Sequence, residues 1–248
     1  MKAFITGVGW VTPSGMGCGR DHNNFEMKPD KLPEITRSAV FDAPYPHFGR
    51  LDRYSRLGVA AIGFALKDAG LDRWTRKRPV GMIASTVHGC LETDLNYYDT
   101  VIPDNGRLAS PNLFAYTLPN SYLGEAAIRF GLTGTCYTIN SSTFSSPRCL
   151  RMALINIAGG QCDKVIGGVC DTGRLPPFSV GSEDHRGAIF FVIEKTIKRA
   201  RMAYGGLHLS NDGILALNGE KVRSLPALAQ KCIHNKSSGN KKTGADEG

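Results

Sequence analysis

Residues 120–150 read NSYLGEAAIRFGLTGTCYTINSSTFSSPRCL, and this stretch decides the fold. Pro119 precedes an apolar-periodic run that stops at Gly131, the pattern of a helix with proline in its first turn and a glycine stop. Residues 136–140, CYTIN, carry the β-branched and aromatic side chains of a short strand. A hydroxyl-rich elbow follows: Ser141, Ser142, Thr143, Ser145 and Ser146. A second helix is expected over residues 145–158, with Pro147 in its first turn, where the missing N–H costs nothing. Gly159 and Gly160 end it. A polar elbow between a buried strand and a helix is where α/β enzymes often mount a nucleophile. This elbow holds no cysteine.

The chain around this stretch repeats the same grammar. Residues 3–8 form an apolar strand. Residues 12–48 are rich in Gly, Pro and Asn and read as loop. Residues 51–69 place Leu57, Ala60, Ala61, Phe64 and Ala65 at helical spacing, and Gly70 stops the helix. Residues 80–85 are a short buried strand, and residues 92–102 a helix ending before Pro103. Residues 164–168 and 188–194 are strands, the second so uniformly apolar that both of its faces must be buried. Residues 210–217 add a short strand or hairpin, and residues 224–233 an amphipathic helix. From residue 235 onward the composition is that of a disordered tail. Alternating strands and helices imply a mostly parallel sheet sandwiched between helices.

Composition narrows the class. The 248 residues are 42% hydrophobic and 21% charged, ordinary for a globular protein with an ample core. The seven cysteines form no CxxC pair and several sit in apolar surroundings, which points to a reducing cytoplasm, no disulfide frame and no zinc site. The apolar run at the start is broken by Thr6, Gly7 and Gly9, unlike a secretory leader. No apolar run approaches the roughly 18 residues of a membrane span. The net charge is +8, and much of it lies in the last third, including Lys195, Lys198, Arg199, Arg201, Lys221, Arg223, Lys231, Lys236, Lys241 and Lys242. A basic face suits an acidic partner, or simply keeps the surface solvated. No nucleic-acid recognition module is apparent.

Several short segments, taken in order, resemble the β-ketoacyl synthases of the thiolase fold. Phe4 to Gly9 with Val11-Thr12-Pro13 is similar to that family's first strand and turn. Leu51-Asp52-Arg53-Tyr54 and the helix after it resemble its first long helix. Leu118-Pro119-Asn120, Gly124, Ile128-Arg129-Phe130-Gly131-Leu132, Gly134, Tyr137-Thr138 and Ser145 match the segment that leads to its nucleophile elbow. Asp163 to Gly168 and Gly187 to Glu194, followed by Ala200-Arg201, resemble its later strands and basic turn. The resemblance implies an α/β, thiolase-like half-fold over residues 1–217, with a mixed, mostly parallel sheet between helices. Residues 218–234 remain for a C-terminal helix and residues 235–248 for a basic tail.

Two departures bear on chemistry. The family's nucleophilic cysteine falls on Thr143, and the histidine-bearing loops of its second half have no counterpart here. Threonine's hydroxyl is far more basic than a thiol and needs a positioned general base; the local candidates are His88, His185 and Asp171. The resemblance therefore implies a subunit with no catalytic residue, similar to the chain length factors that pair with a competent ketosynthase. It is closest in kind to the truncated subunits of aryl polyene-type clusters. An acyltransferase or hydrolase using Thr143, and a free-standing acyl-binding module, are the alternatives.

On that resemblance, Thr135, Cys136, Tyr137, Thr138, Ile139, Asn140 and Ser141 would pair across the two-fold axis of a heterodimer with the catalytic ketosynthase. Thr86, Val87, His88, Leu91, Leu95, Tyr98, Leu113 and Phe114 would wall an acyl tunnel. Leu91, Leu95 and Tyr98 share one helix face by their spacing. No metal and no bound cofactor are implied; the complex would work on acyl-phosphopantetheine carried by an acyl carrier protein. Surfaces that a second half would cover are expected to lie open and to need a partner.

Overall fold

Side chains on successive positions of the central strands divide between two cores. On one side of the sheet lie Val80, Met82, Ala84, Ile166, Cys170, Phe190 and Val192; on the other lie Ile83, Val165, Val169, Ile189, Phe191 and Ile193. This period-two partition is what a strand buried on both faces requires. A computed structural model of the chain describes residues 1–21, 25–173, 185–197 and 203–239.

In chain order the strands and helices are β1 (Lys2–Thr12), β2 (Gly15–Cys18), α1 (Arg37–Val40), α2 (Arg53–Asp68), β3 (Val80–Thr86), α3 (Leu91–Val101), α4 (Pro111–Phe114), α5 (Ser121–Phe130), β4 (Cys136–Asn140), α6 (Arg148–Ala158), β5 (Lys164–Asp171), β6 (Gly187–Glu194), β7 (Gly205–Leu209), β8 (Leu215–Leu217), β9 (Glu220–Lys221) and α7 (Leu225–Gly239). One mixed sheet runs in the order β4-β3-β5-β6-β1-β7-β8-β9, with β2 on β1. Its parallel block is β4, β3 and β5; from β5 outward through β6, β1, β7 and β8 to β9 the pairings are antiparallel.

Helix α2 is seated first. Asp52 caps it by accepting the Ser55 N–H at 2.9 Å. Its backbone lies so close to β1 that a Cβ on Gly9 would sit 2.1 Å from the Ala65 nitrogen, so no other residue fits there. At its far end the buried Asp68 accepts the Val8 N–H and the Tyr204 hydroxyl, tying helix, first strand and the β7 approach together. Helix α5 ends as its sequence indicates, with Gly131 in the left-handed region at φ 64°.

The structure departs from the sequence reading in several places. The elbow helix begins at Arg148, not residue 145; Pro147 occupies the cap and residues 144–146 form a turn that donates Ser146 N–H to the Thr143 carbonyl. The loop before α2 contains β2, α1 and a 3-10 turn at Pro46–Arg50. Helix α7 runs to Gly239, so residues 235–239 of the expected tail are helical; residues 240–248 lie outside the described residues. The sheet face beneath α6 is not left open, because Leu207, Leu209, Leu215, Leu217, Leu225, Leu228 and Cys232 of the β7–α7 segment complete its core.

One buried polar atom lacks a partner where the first core is tightest. Tyr122 is fully buried, packed edge-on against Tyr54 and over Gly58, and its hydroxyl has no hydrogen bond. Desolvating an unpaired hydroxyl costs on the order of 1–3 kcal/mol. Tyr122→Phe is therefore expected to leave the fold intact and to stabilise it by about 1 kcal/mol in urea unfolding; a loss of stability would mean the hydroxyl is satisfied.

Candidate functional site

The carboxyl ends of β3, β4 and β5 meet at Thr86, Asn140 and Asp171. The carboxyl ends of parallel strands are where open α/β sheets place their ligands. The organiser here is Asp171, 1% exposed. Its carboxylate accepts the Thr86 hydroxyl at 2.9 Å and the backbone N–H groups of Val87 and His88, both at 2.9 Å. Thr86 in turn accepts the Gly89 N–H on its hydroxyl and the Ser141 N–H on its carbonyl. One carboxylate thus fixes the turn from β3 into α3, and through Thr86 it reaches the start of the elbow after β4. Burial raises the Asp171 carboxyl above the ordinary range, and the three hydrogen bonds to its charged form only partly offset that.

Helix α3 is held a second time. Asp52, the cap of α2, accepts the Thr93 hydroxyl with its other oxygen, and Arg53 pairs with Glu92 at 3.6 Å. So the candidate tunnel residues are placed by rigid neighbours. Thr86, Val87 and His88 make up the Asp171 turn. Leu91 and Leu113 are half-buried, whereas Leu95, Tyr98 and Phe114 stand exposed, the last two at 60% and 61%. Sequence reasoning missed their companions. Ile102, Leu108 and Leu118 are equally exposed, and Tyr97 packs at a tilt against Phe114 with ring centroids 5.4 Å apart. The signal was legible, since apolar residues recur through an otherwise polar segment where no core needs them.

The candidate interface strand is β4. Among the described residues it lies at the end of the sheet and pairs on one side only, with β3. Thr135 accepts the Met82 N–H on its carbonyl. Cys136 and Asn140 are exposed, Tyr137, Thr138 and Ile139 half-buried, and Ser141 buried.

At the elbow, Thr143 is exposed. Its carbonyl accepts the Ser141 hydroxyl at 3.0 Å, but among the described residues its own hydroxyl has no hydrogen-bond partner. Neither His88, His185 nor Asp171 is therefore placed to take its proton. No elbow residue lies in the left-handed region, so the backbone shows none of the strain that lifts a nucleophile out of a sharp turn. Behind it, Phe144 stacks on His185 and the Ser145 carbonyl accepts the first N–H of α7. The nearby Cys149 thiol is fully buried and pushed up to about 12 by desolvation, so it is an inert core group.

Residues 33–182 match the family model described as Beta-ketoacyl synthase, N-terminal domain. The chain belongs to the β-ketoacyl synthase family. A polyketide β-ketoacyl synthase of Streptomyces halstedii is 27% identical over an alignment of 202 residues, which covers 71% of this chain and 47% of that protein. The chain thus spans about half the length of that relative. Among solved structures, the ishigamide ketosynthase/chain length factor superposes with a TM-score of 0.65 at 16% identity, covering 86% of this chain and 68% of the other. A type II polyketide ketosynthase solved with its acyl carrier protein and a bound hexaketide gives 0.64 at 17% identity, covering 83% and 67%. These likenesses establish the ketosynthase-like fold. No described helix is long and apolar enough to cross a membrane.

Asp171→Ala would leave the N–H groups of half-buried Val87 and His88 and the buried Thr86 hydroxyl without their acceptor, an expected loss of about 2 kcal/mol in urea unfolding. The raised carboxyl also sets a sign. Its contribution is fully present below the ordinary value of 3.8 and is lost as pH rises through the higher folded value. The stability advantage of the wild type over Asp171→Asn should accordingly be greatest near pH 3.5 and shrink toward neutrality; an advantage that grows with pH would reverse the assignment.

Proposed function

We propose that this chain is a non-catalytic, chain-length-factor-like partner of a β-ketoacyl-[acyl carrier protein] synthase, working in fatty acid or polyketide biosynthesis of the aryl polyene type. The observation that carries the reading is the open outer edge of β4 together with the exposed apolar side chains at residues 95–118, both rooted in neighbouring strands β4 and β3. An unpaired strand edge is a template for another chain, and exposed large apolar groups mark an interface more often than plain surface. In this reading β4 pairs with the catalytic subunit, and Leu95, Tyr98 and Phe114 line an acyl channel shared with it. The acyl chain arrives on the phosphopantetheine of an acyl carrier protein, and this chain supplies shape rather than a nucleophile. A cytoplasmic setting fits seven free thiols.

Support for the non-catalytic part comes from Thr143, which falls where the resemblance puts the family's cysteine and whose hydroxyl has no hydrogen-bond partner among the described residues. The rival reading, an acyltransferase or hydrolase using Thr143, needs that base. Thr143→Ala is expected to leave product formation by the complex within about twofold of wild type; loss of more than tenfold would establish Thr143 as the nucleophile.

The partner reading has its own test. Co-expression with the neighbouring ketosynthase should give a one-to-one complex by size-exclusion chromatography with mass determination. The contact should bury roughly 2,000 Å² or more. Cys136, the exposed cysteine of the seven, should label with a maleimide in the free chain, slowed by the burial that raises its thiol, and become protected in the complex. A complex that forms with Cys136 still fully reactive would place the interface away from β4, and a monomer indifferent to the ketosynthase would sink the proposal.

A further inference from the structure

At the other end of β3, before Val80, a cleft of about 290 Å³ opens between the ends of α2 and α5. Phe41 and Phe130, both nearly buried, supply its apolar wall, and Gly63 its floor. A methyl group on Gly63 would meet both rings at 3.3 Å, so the cleft depends on a residue that is otherwise unfavourable in a helix interior. Lys67, Arg73 and Arg129 face it as cations, and Asp42 and Asp72 as carboxylates.

Arg129 is held in an uncommon way. Its guanidinium lies 5.2 Å from the Phe41 ring centroid and 5.1 Å from that of Tyr45. Its backbone carbonyl is anchored by the Trp74 indole N–H at 3.1 Å. Yet its buried Nε has no acceptor, and among the described residues no carboxylate or carbonyl accepts from the rest of the group. Lys67 and Arg73 likewise have no ion pair there. The two rings hold the guanidinium in place, and its Nη groups, with no protein acceptor among the described residues, remain available for bidentate contact with a planar oxyanion.

We infer that this cleft is a binding site for a small monocarboxylate with an apolar or aromatic body. The carboxylate would lie on the N–H edge of Arg129, with Lys67 and Arg73 nearby, and the body against Phe41 and Phe130. Three cations set against two carboxylates leave the lining at +1. A single negative charge is matched there, while a polyanion such as nucleic acid meets Asp42 and Asp72. The site is separate from the elbow and does not depend on the role proposed for β4.

Benzoate and its neutral isostere benzamide are suitable probes, titrated calorimetrically into the full chain. Benzoate should bind saturably, with a dissociation constant on the order of 1 mM for so small a ligand. Benzamide, and benzoate with Arg129→Gln, should each bind at least about tenfold more weakly. Should Arg129→Gln fail to fold, the exposed pair Lys67→Gln/Arg73→Gln gives the same test, with weakening of at least about threefold expected from charge alone. Absence of saturable benzoate binding, equal binding of benzamide, or undiminished binding by the variants would each overturn the assignment. So would inorganic phosphate binding more tightly than benzoate, since the apolar wall would then contribute nothing.

Discussion

A carboxylate buried at the end of a sheet is costly, and Asp171 shows what the cost secures. It sits where β5 ends, with three donors converging on it from the segment that leaves β3. Without it the Val87 and His88 amides would have to find water, and the turn could take several courses. With it there is one course, and α3 departs at a fixed angle toward Thr93 and Asp52. Every exposed apolar side chain on α3 inherits its position from that turn. The elbow after β4 inherits its start from the same place, through the Ser141 N–H on the Thr86 carbonyl. A buried charge satisfied by backbone amides contributes little net stability but selects one conformation strongly.

The sequence was most legible where burial is symmetric. Residues 188–194 admit no polar face, so β6 could only be a central strand, and its two faces do feed two different cores. Glycine stops read correctly at Gly70 and Gly131, because each has a local mechanical role. What the sequence hid were features fixed by distant partners. The start of α6 moved because Pro147 serves as the cap, a matter of one turn that composition does not resolve. The extent of α7 escaped because Asn235 to Gly239 look unstructured alone; the helix is seated by Leu225, Leu228 and Cys232 packing on the far sheet face. Among site residues, Asp171 was legible only as a candidate base for Thr143, and nothing in the chain said that its partners would be Thr86, Val87 and His88. Ile102, Leu108 and Leu118 could have been found by asking which apolar residues no helix period explains.

Reactivity at the elbow is limited by geometry as well as by residue type. A hydroxyl becomes a nucleophile when a base holds its proton and a strained turn exposes it. Thr143 has exposure alone. The thiols nearby fail in the opposite sense: Cys149 and Cys170 lie in apolar surroundings that favour the neutral form. Among the described residues, neither a base nor a strained turn accompanies the Thr143 hydroxyl, and the fold around it is nonetheless intact.

The distribution of unsatisfied surface carries this one step further. Strands β7 to β9 and helix α7 close the core beneath α6, so the described fold does not need a second half to bury its sheet face. Exposed apolar side chains also stand elsewhere, at Ile128, Ile155 and Ile214, but two open features adjoin each other, the β4 edge and the 95–118 segment. Both begin at the strands that Asp171 and Thr86 join. An edge strand normally carries charge or a bulge to discourage pairing, yet residues 136–140 contain neither a lysine nor a glutamate, and no aspartate or arginine. A sheet end left this uncharged, beside apolar groups held rigidly outward, is a liability for a monomer. For a subunit that meets one partner it is a specification, because backbone pairing sets the register and the apolar side chains set the depth of contact. In the proposed role, the β4 edge and the apolar side chains at residues 95–118 together would set where such a partner sits.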